Sequence, residues 1–151
     1  MDLKTAIYRY CNYQERSHQE VRNKLYELGG YTDQVNALIA ELIESDLLNE
    51  ERFAKALARG KFNQNYWGRV KIIQLLKQHR ISPYLIKKAM QEIDANAYFE
   101  MATKLATRKW ASLKAERESY QKRAKVYRYL LQKGYESTII NEVIQGLLTM
   151  E

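Results

Sequence analysis

The sequence predicts an all-α protein made of three tandem three-helix repeats, each laid out like a helix-turn-helix, in an elongated arrangement. Apolar residues recur at the three- and four-residue spacing of a single helix face, as in Val35, Leu38, Ile39 and Leu42. The chain of 151 residues has six Gly and one Pro, too few for the many tight turns of a sheet-rich fold. The pattern of helices and breakers recurs with a period of a little over fifty residues.

The first predicted repeat contains one clear start signal and one clear stop signal. Ser17 and Glu20 form a capping-box pattern, in which the hydroxyl accepts a backbone N–H bond and the carboxylate reaches back to the cap residue. Gly29 follows the second helix and can end it in a left-handed turn. The apolar spacing from Val35 to Leu42 predicts the third helix. The three helices are predicted over residues 2–13, 17–28 and 33–46.

The second predicted repeat begins at Asn49, whose side chain can cap a helix that opens with Glu50 and Glu51. Ser82 and Pro83 place a capping hydroxyl before a proline at the first helical position. Three further helices are therefore predicted over residues 50–62, 68–79 and 83–93.

In the third predicted repeat, the second helix is expected to end at Gly134. A helix with a strongly apolar face from Ile140 to Leu147 follows. Its helices are predicted over residues 95–111, 118–133 and 137–149. A shift of 51 residues moves Leu25 to Leu76, and a further shift of 54 moves Leu76 to Leu130. A unit of this size buries little apolar surface alone, so stacked neighbours would extend the core. The predicted repeat limits are 1–48, 49–94 and 95–151.

Charge is distributed unevenly along the chain. The whole sequence has 25 Lys and Arg against 18 Asp and Glu, a net charge of +7. Residues 1–51 have five basic and ten acidic residues, a net of −5, whereas residues 52–151 have twenty and eight, a net of +12. The basic part suits a polyanion, most often nucleic acid, and the acidic part suits a protein surface.

The repeat register identifies a candidate binding face. Arg69 and Lys71 correspond, after a shift of 54, to Arg123 and Lys125, and a common face is expected for them. Contacts to the phosphate backbone, sensitive to salt and tolerant of sequence, are expected here rather than base reading. Tyr66 and Trp67 are the candidate aromatic contacts beside these cations. The predicted basic face comprises Arg69, Lys71, Lys77, Arg80, Lys87, Lys88, Arg108, Lys109, Lys122, Arg123, Lys125 and Arg128.

No catalytic residue, metal site or cofactor site is predicted. His18 and His79 lack partners at metal-ligand spacing and are expected to be exposed or to cap helix ends. Cys11 is expected to pack in a helix interface, since no base accompanies it. No Gly-rich phosphate loop precedes a Lys, and no uncharged run is long enough to span a bilayer. The single cysteine fits a reducing, cytoplasmic setting.

Several short motifs occur in a fixed order along the chain: Arg16-Ser17 with Glu20 and Lys24-Leu25, the stretch Leu47-Leu48-Asn49-Glu50-Glu51-Arg52-Phe53-Ala54, Gly68-Arg69 with Leu75-Leu76 and Ile81, and Lys133-Gly134-Tyr135. Together they resemble the motifs of the RecX family, and the resemblance covers residues 3–148. His79-Arg80-Ile81 departs from the family pattern, which has a glycine helix stop at the middle position. Val21 also stands where the family usually has leucine.

The resemblance implies a curved, extended helical protein of three repeats. RecX proteins are cytoplasmic bacterial regulators of RecA, the recombinase that polymerises on single-stranded DNA. They bind in the groove of the RecA filament and block its growth or promote its disassembly, which lowers its ATPase, strand-exchange and co-protease activities. The resemblance further implies that the chain is not an enzyme, acts in DNA repair and the SOS response, and needs no cofactor.

A second interpretation is a stand-alone DNA-binding module of the helix-turn-helix type, such as a transcription regulator. Such regulators normally dimerise and place one recognition helix over a defined half-site. Here the third helix of the last repeat offers Asn141 and Glu142, a poor surface for phosphate. A monomer that contacts single- or double-stranded DNA through phosphates, and no membrane, is therefore favoured.

Overall fold

The computed structural model describes residues 1–113 and 119–149, and within these residues the chain is all helical. Each predicted helix that falls on described residues is present, with its ends within 3 residues of the prediction. The prediction that the eighth helix starts at 118 lies outside the described residues. The helices of the described part are α1 Leu3–Tyr13, α2 His18–Glu27, α3 Thr32–Glu44, α4 Glu50–Asn65, α5 Arg69–Gln78, α6 Pro83–Met90, α7 Ala95–Ser112, α8 Ser119–Lys133 and α9 Ser137–Thr149.

The tandem repeat is visible in the way the second helix of each repeat ends. Gly29, Arg80 and Gly134 each take a left-handed conformation, with φ of 90°, 59° and 100°. Their spacings of 51 and 54 residues are those of the sequence repeat. Arg80 therefore performs the helix stop that glycine performs in the other two repeats. The same backbone bond closes each end, from the N–H of Gly30 to Leu25, of Ile81 to Leu76, and of Tyr135 to Leu130, at 2.9, 3.1 and 3.1 Å.

The chain divides into two compact units, each formed from two stretches of sequence. The first unit comprises residues 1–57 and 76–89, and the second comprises the described residues of 58–75 and 90–151. The repeat limits predicted above describe sequence periodicity and stay a prediction.

In the first unit, α1, α2 and α3 enclose a core of aliphatic side chains. Cys11 belongs to this core and is 7% exposed, which confirms the packing role predicted for it. Burial raises the pKa of its thiol to about 11. The buried members of the core are Ile7, Cys11, Val21, Leu25, Val35, Ile39, Leu42 and Leu48.

The predicted capping box at the start of α2 is confirmed. The Ser17 hydroxyl accepts a bond from the Glu20 N–H at 3.0 Å, and the Ser17 N–H donates to the Glu20 carboxylate at 2.9 Å. His79 lies beside this cap, with Nδ1 3.4 Å from the Ser17 hydroxyl and its ring edge-on to Phe53 at 5.1 Å. The prediction of an exposed or capping role was wrong for His79, because its partly buried ring packs on an aromatic neighbour brought close by the fold.

In the second unit, α7, α8 and α9 pack on one another around aromatic and aliphatic side chains. Tyr98 and Tyr135 are fully buried with ring centroids 5.0 Å apart, and Phe62 lies 5.9 Å from Tyr98. Trp110 is also buried. Because each aromatic ring buries a large area, a few such side chains are enough to fill the core of this small unit.

The backbone at the start of α5 is in direct contact with the backbone at the end of α8. The Gly68 N–H donates to the Lys133 carbonyl at 2.8 Å, and the Val70 N–H donates to the Gly134 carbonyl at 2.9 Å. These carbonyls satisfy N–H groups at the start of α5 that have no partner within the helix. A Cβ atom at Gly68 would lie 2.3 Å from the Gly134 carbonyl carbon, so the approach requires glycine.

Candidate nucleic-acid interface

One side of α8 forms a groove with residues of α5 and α7, all within the second unit. Two adjoining hollows share Tyr129 and Gln132. The α8 residues of the groove follow the spacing i, i+3, i+4, i+7 and i+8, which places them on one helix face. We call this surface the basic groove; its residues are Lys71, Lys109, Lys125, Arg128, Tyr129, Gln132 and Lys133.

The basic groove is strongly cationic. Five of its seven residues are Lys or Arg, and among the described residues no carboxylate lines either hollow. Like charges that share a concave surface add their potentials, and the low-dielectric walls concentrate the field. The groove therefore suits a polyanion better than it suits a neutral or basic protein surface.

Aromatic rings hold several of the lysines in place. The Lys71 ammonium lies 4.4 Å from the Trp67 ring centroid, and Lys61 lies 4.9 Å from the same ring. The Lys109 ammonium lies 5.4 Å from the Tyr129 ring centroid. Such contacts stabilise a cation by roughly 0.5–1 kcal/mol at exposed sites and restrict its side-chain freedom.

The predicted aromatic pair has two different settings. Trp67 is half-buried with cations over its ring, so it positions Lys71 at the groove. Tyr66 is 38% exposed and takes a left-handed conformation with φ of 61°. Its carbonyl accepts a hydrogen bond from the Tyr135 hydroxyl at 2.9 Å, which holds the backbone there.

Arg69 has a partner inside the second unit. Its guanidinium lies 2.9 Å from the Glu136 carboxylate and 3.9 Å from the Tyr98 ring centroid. The Arg69 backbone N–H donates to the Tyr98 hydroxyl at 2.8 Å, and that hydroxyl donates to Glu136. Burial, reinforced by the bond to Glu136, raises the pKa of the Tyr98 phenol. This network holds the first turn of α5 and so positions Lys71.

The expectation that Arg123 and Lys125 share a face was wrong. Lys125 lines the basic groove, whereas Arg123 lines a different groove between α8 and α9. Residues two apart on an α-helix point about 160° away from each other, so they cannot share a face. The same geometry separates Arg69 from Lys71. We call the second surface the aromatic groove; its residues are Tyr120, Arg123, Ala124, Tyr127, Asn141, Ile144, Gln145 and Leu148.

The remaining predicted cations lie outside both grooves. Arg108 is exposed on α7, and the Lys122 ammonium lies 4.3 Å from the Trp110 ring centroid. Four candidates belong to the first unit, where Lys88 lies 5.2 Å from the Tyr84 ring centroid. The four are Lys77, Arg80, Lys87 and Lys88.

Sequence reasoning missed three residues of the basic groove: Tyr129, Gln132 and Lys133. A helical-wheel extension from Lys125 would have found them, since they continue its face at i+4, i+7 and i+8. In the sequence, Lys133 stands out only as part of the RecX motif Lys133-Gly134-Tyr135.

The described residues contain no group of three or more His, Cys, Asp or Glu side chains that could hold a metal ion. No described helix is both long and apolar enough to cross a membrane.

Two family models match the chain. The model for the second three-helix domain of RecX matches residues 49–90, and the model for the third matches residues 96–144. The chain is 31% identical to the regulatory protein RecX of Clostridium perfringens over 137 residues, 90% of this chain and 64% of that protein. It therefore spans less than two thirds of the length of this relative.

Other relatives match over nearly their whole length. The chain is 26% identical over 151 residues to the regulatory protein RecX of Prosthecochloris aestuarii, which covers 98% of this chain and 97% of that protein. The crystal structure of RecX from Lactobacillus salivarius superposes with a TM-score of 0.88 at 27% identity, over 96% of this chain and 94% of that one. This likeness confirms the all-α tandem-repeat fold.

Proposed function

This chain belongs to the RecX family of regulatory proteins, and on that premise we propose that it binds the RecA filament on single-stranded DNA and restrains it. It would lower the recombinase, ATPase and co-protease activities of RecA in DNA repair and the SOS response. It would act as a cytoplasmic monomer without catalysing a reaction of its own.

The basic groove is the observation that carries this proposal. Its cations line one hollow surface formed by α5, α7 and α8, as a DNA backbone would require. Each phosphate neutralised by Lys or Arg releases about one counterion, which drives binding and makes it sensitive to salt. The groove would therefore contact single- or double-stranded DNA through phosphates, with little preference for sequence.

The acidic residues 1–51, with a net charge of −5, favour a different contact. Like-charge repulsion would keep this segment away from DNA phosphates, so it would face protein surface of the filament. Arg108, Lys122 and the four predicted cations of the first unit would add to the general attraction for DNA, whereas Arg69 pairs with Glu136.

The test is the ATPase activity of RecA on single-stranded DNA, titrated with this protein at moderate salt. We expect inhibition at amounts well below one molecule per RecA, because a regulator of filament growth or disassembly acts on many subunits at once. Binding to DNA in the same buffer serves as the control.

Retained DNA binding without any inhibition would contradict the proposal and favour a stand-alone helix-turn-helix DNA-binding module or transcription regulator. The third helix of the last repeat, α9, argues against base reading, since it has Glu142 and no Lys or Arg. A recognition helix in the major groove lies between two phosphate backbones, so a helix with a carboxylate and no Lys or Arg is disfavoured there.

A further inference from the structure

The aromatic groove has a chemistry unlike that of the basic groove. Its volume is about 500 Å³, and it lies between α8 and α9. Ile144, 8% exposed, and the half-buried Leu148 form an apolar floor. Tyr120, 59% exposed, and Tyr127 form the α8 wall together with Arg123.

This groove extends across α9. A second hollow shares Asn141 and Gln145 with it and reaches Phe99 on α7. Gly146 lies on this path, and a Cβ atom built there would have no heavy atom within 4 Å. A glycine inside a helix costs roughly 1 kcal/mol relative to alanine. Nothing in the fold requires a glycine at position 146, but the absence of a side chain there leaves room for the backbone of another chain to approach.

The composition disfavours nucleic acid as the occupant. Among the described residues that line the aromatic groove, Arg123 is the one cation, and Glu142 adds a carboxylate to the groove's extension. A DNA strand presents a phosphate about every 3.4 Å along its axis, so one cation neutralises little of it. Tyr and Arg around an apolar floor are instead the residues enriched at the energetic centres of protein interfaces.

We propose that the aromatic groove binds an extended segment of a partner protein that places a carboxylate against Arg123 and an apolar side chain over Ile144 and Leu148. The amides of Asn141 and Gln145 can bond the backbone of that segment. The inference rests on the proposed function, since the segment would belong to RecA. Protein contact and DNA contact would then use opposite sides of α8.

Helix geometry makes the two contacts separable. Arg123 and Arg128 are five residues apart on α8, so they point about 140° away from each other. Both are exposed, and each change to glutamate alters the net charge by the same amount. Arg123→Glu and Arg128→Glu are thus matched variants of one helix, and circular dichroism checks that both fold.

The experiment measures the affinity of each variant for RecA without DNA, by biolayer interferometry, and for fluorescein-labelled single-stranded DNA, by anisotropy. We expect Arg123→Glu to weaken RecA binding about tenfold and to leave DNA affinity within about twofold. Arg128→Glu should do the reverse. Gly146→Gln, which adds a side chain to the groove extension where a Cβ atom meets no heavy atom within 4 Å, should also weaken RecA binding and spare DNA.

Loss of DNA affinity in Arg123→Glu with RecA affinity unchanged would overturn the inference and assign the groove to nucleic acid. Unchanged RecA affinity in both Arg123→Glu and Gly146→Gln would overturn it as well. If the unaltered protein fails to inhibit the RecA ATPase on single-stranded DNA, the proposed function itself fails. If the unaltered protein inhibits and the groove variants inhibit equally well, the proposed function stands and the inference about this groove fails.

Discussion

Arg80 stands where two other repeats have glycine, and its left-handed conformation has a cost. A non-glycine residue loses roughly 1–2 kcal/mol there because its Cβ approaches the following carbonyl. We expect Arg80→Gly to raise the free energy of unfolding by about 0.5–1 kcal/mol, part of the gain being offset by the freedom of glycine in the unfolded chain. Urea denaturation of both proteins measures this difference in the free energy of unfolding.

Arg80→Ala is the matched control, since it removes the same charge and keeps the strained conformation. An equal gain in Arg80→Ala and Arg80→Gly would show that charge, rather than backbone conformation, sets the cost. A lower free energy of unfolding in Arg80→Gly would mean that the Arg80 side chain stabilises the protein by more than its left-handed conformation destabilises it.

Cys11 provides a pH-dependent prediction. Its thiol has an ordinary pKa of 9.0, raised by burial to about 11 in the folded protein. Because the folded pKa lies above the unfolded one, the contribution of this group to stability is complete below pH 9 and is lost as pH rises through 11. The buried phenols of Tyr98 and Tyr135 have pKa values shifted in the same direction.

We therefore expect the free energy of unfolding to fall between pH 9 and 11, and a thiol-specific reagent at pH 8 to label Cys11 slowly until urea unfolds the chain. In Cys11→Ala the fall with pH should be shallower. Rapid labelling of the folded protein would contradict the buried, protonated thiol.

Interactions between residues close in the sequence were predictable, whereas interactions between residues far apart in the sequence were not. The Ser17–Glu20 capping box joins residues three apart, and its spacing is visible in the sequence. Glu136, the partner of Arg69, lies 67 residues further along the chain. Nothing in the local pattern reveals that such a pair will meet, so the sequence alone places Arg69 on the predicted basic face.

At the scale of the helices, the contact between Gly68 and Gly134 joins the start of α5 to the end of α8. A methyl group at Gly68 would clash with the backbone of Gly134 at 2.3 Å. We expect Gly68→Ala to destabilise the protein by about 1–3 kcal/mol, because neither backbone can withdraw without losing its hydrogen bonds. Thermal and urea unfolding measure it.

Gly146→Ala is the control for this substitution. It adds the same methyl group to a helix interior with no heavy atom within 4 Å, so it should stabilise the protein by about 1 kcal/mol. Equal effects at the two positions would contradict the close approach at Gly68.

The helices were predictable because caps, breakers and apolar spacing act locally. It was harder to predict which exposed helix faces form a common surface. The repeat register aligns positions along the chain, and it does not give the direction in which each side chain points around its helix. Arg123 and Lys125 show this: both match the preceding repeat, yet they line different grooves.

At the scale of the whole molecule, the charge split of −5 and +12 was visible in the sequence. The basic groove was not, because it combines Lys71, Lys109 and the α8 residues from three helices separated in sequence. The family resemblance, confirmed by the RecX domain models, supplied the regulatory role that charge alone could not.

The central claim is that the basic groove engages DNA in the RecA filament. Its most direct test repeats the ATPase titration with Arg128→Glu beside Lys104→Glu, a matched charge change at an exposed residue of α7 that lines neither groove. We expect Arg128→Glu to need about tenfold more protein for half-inhibition and to lose about one unit of salt dependence in DNA binding, while Lys104→Glu inhibits as the unaltered protein does. Equal inhibition by Arg128→Glu and Lys104→Glu would contradict the claim.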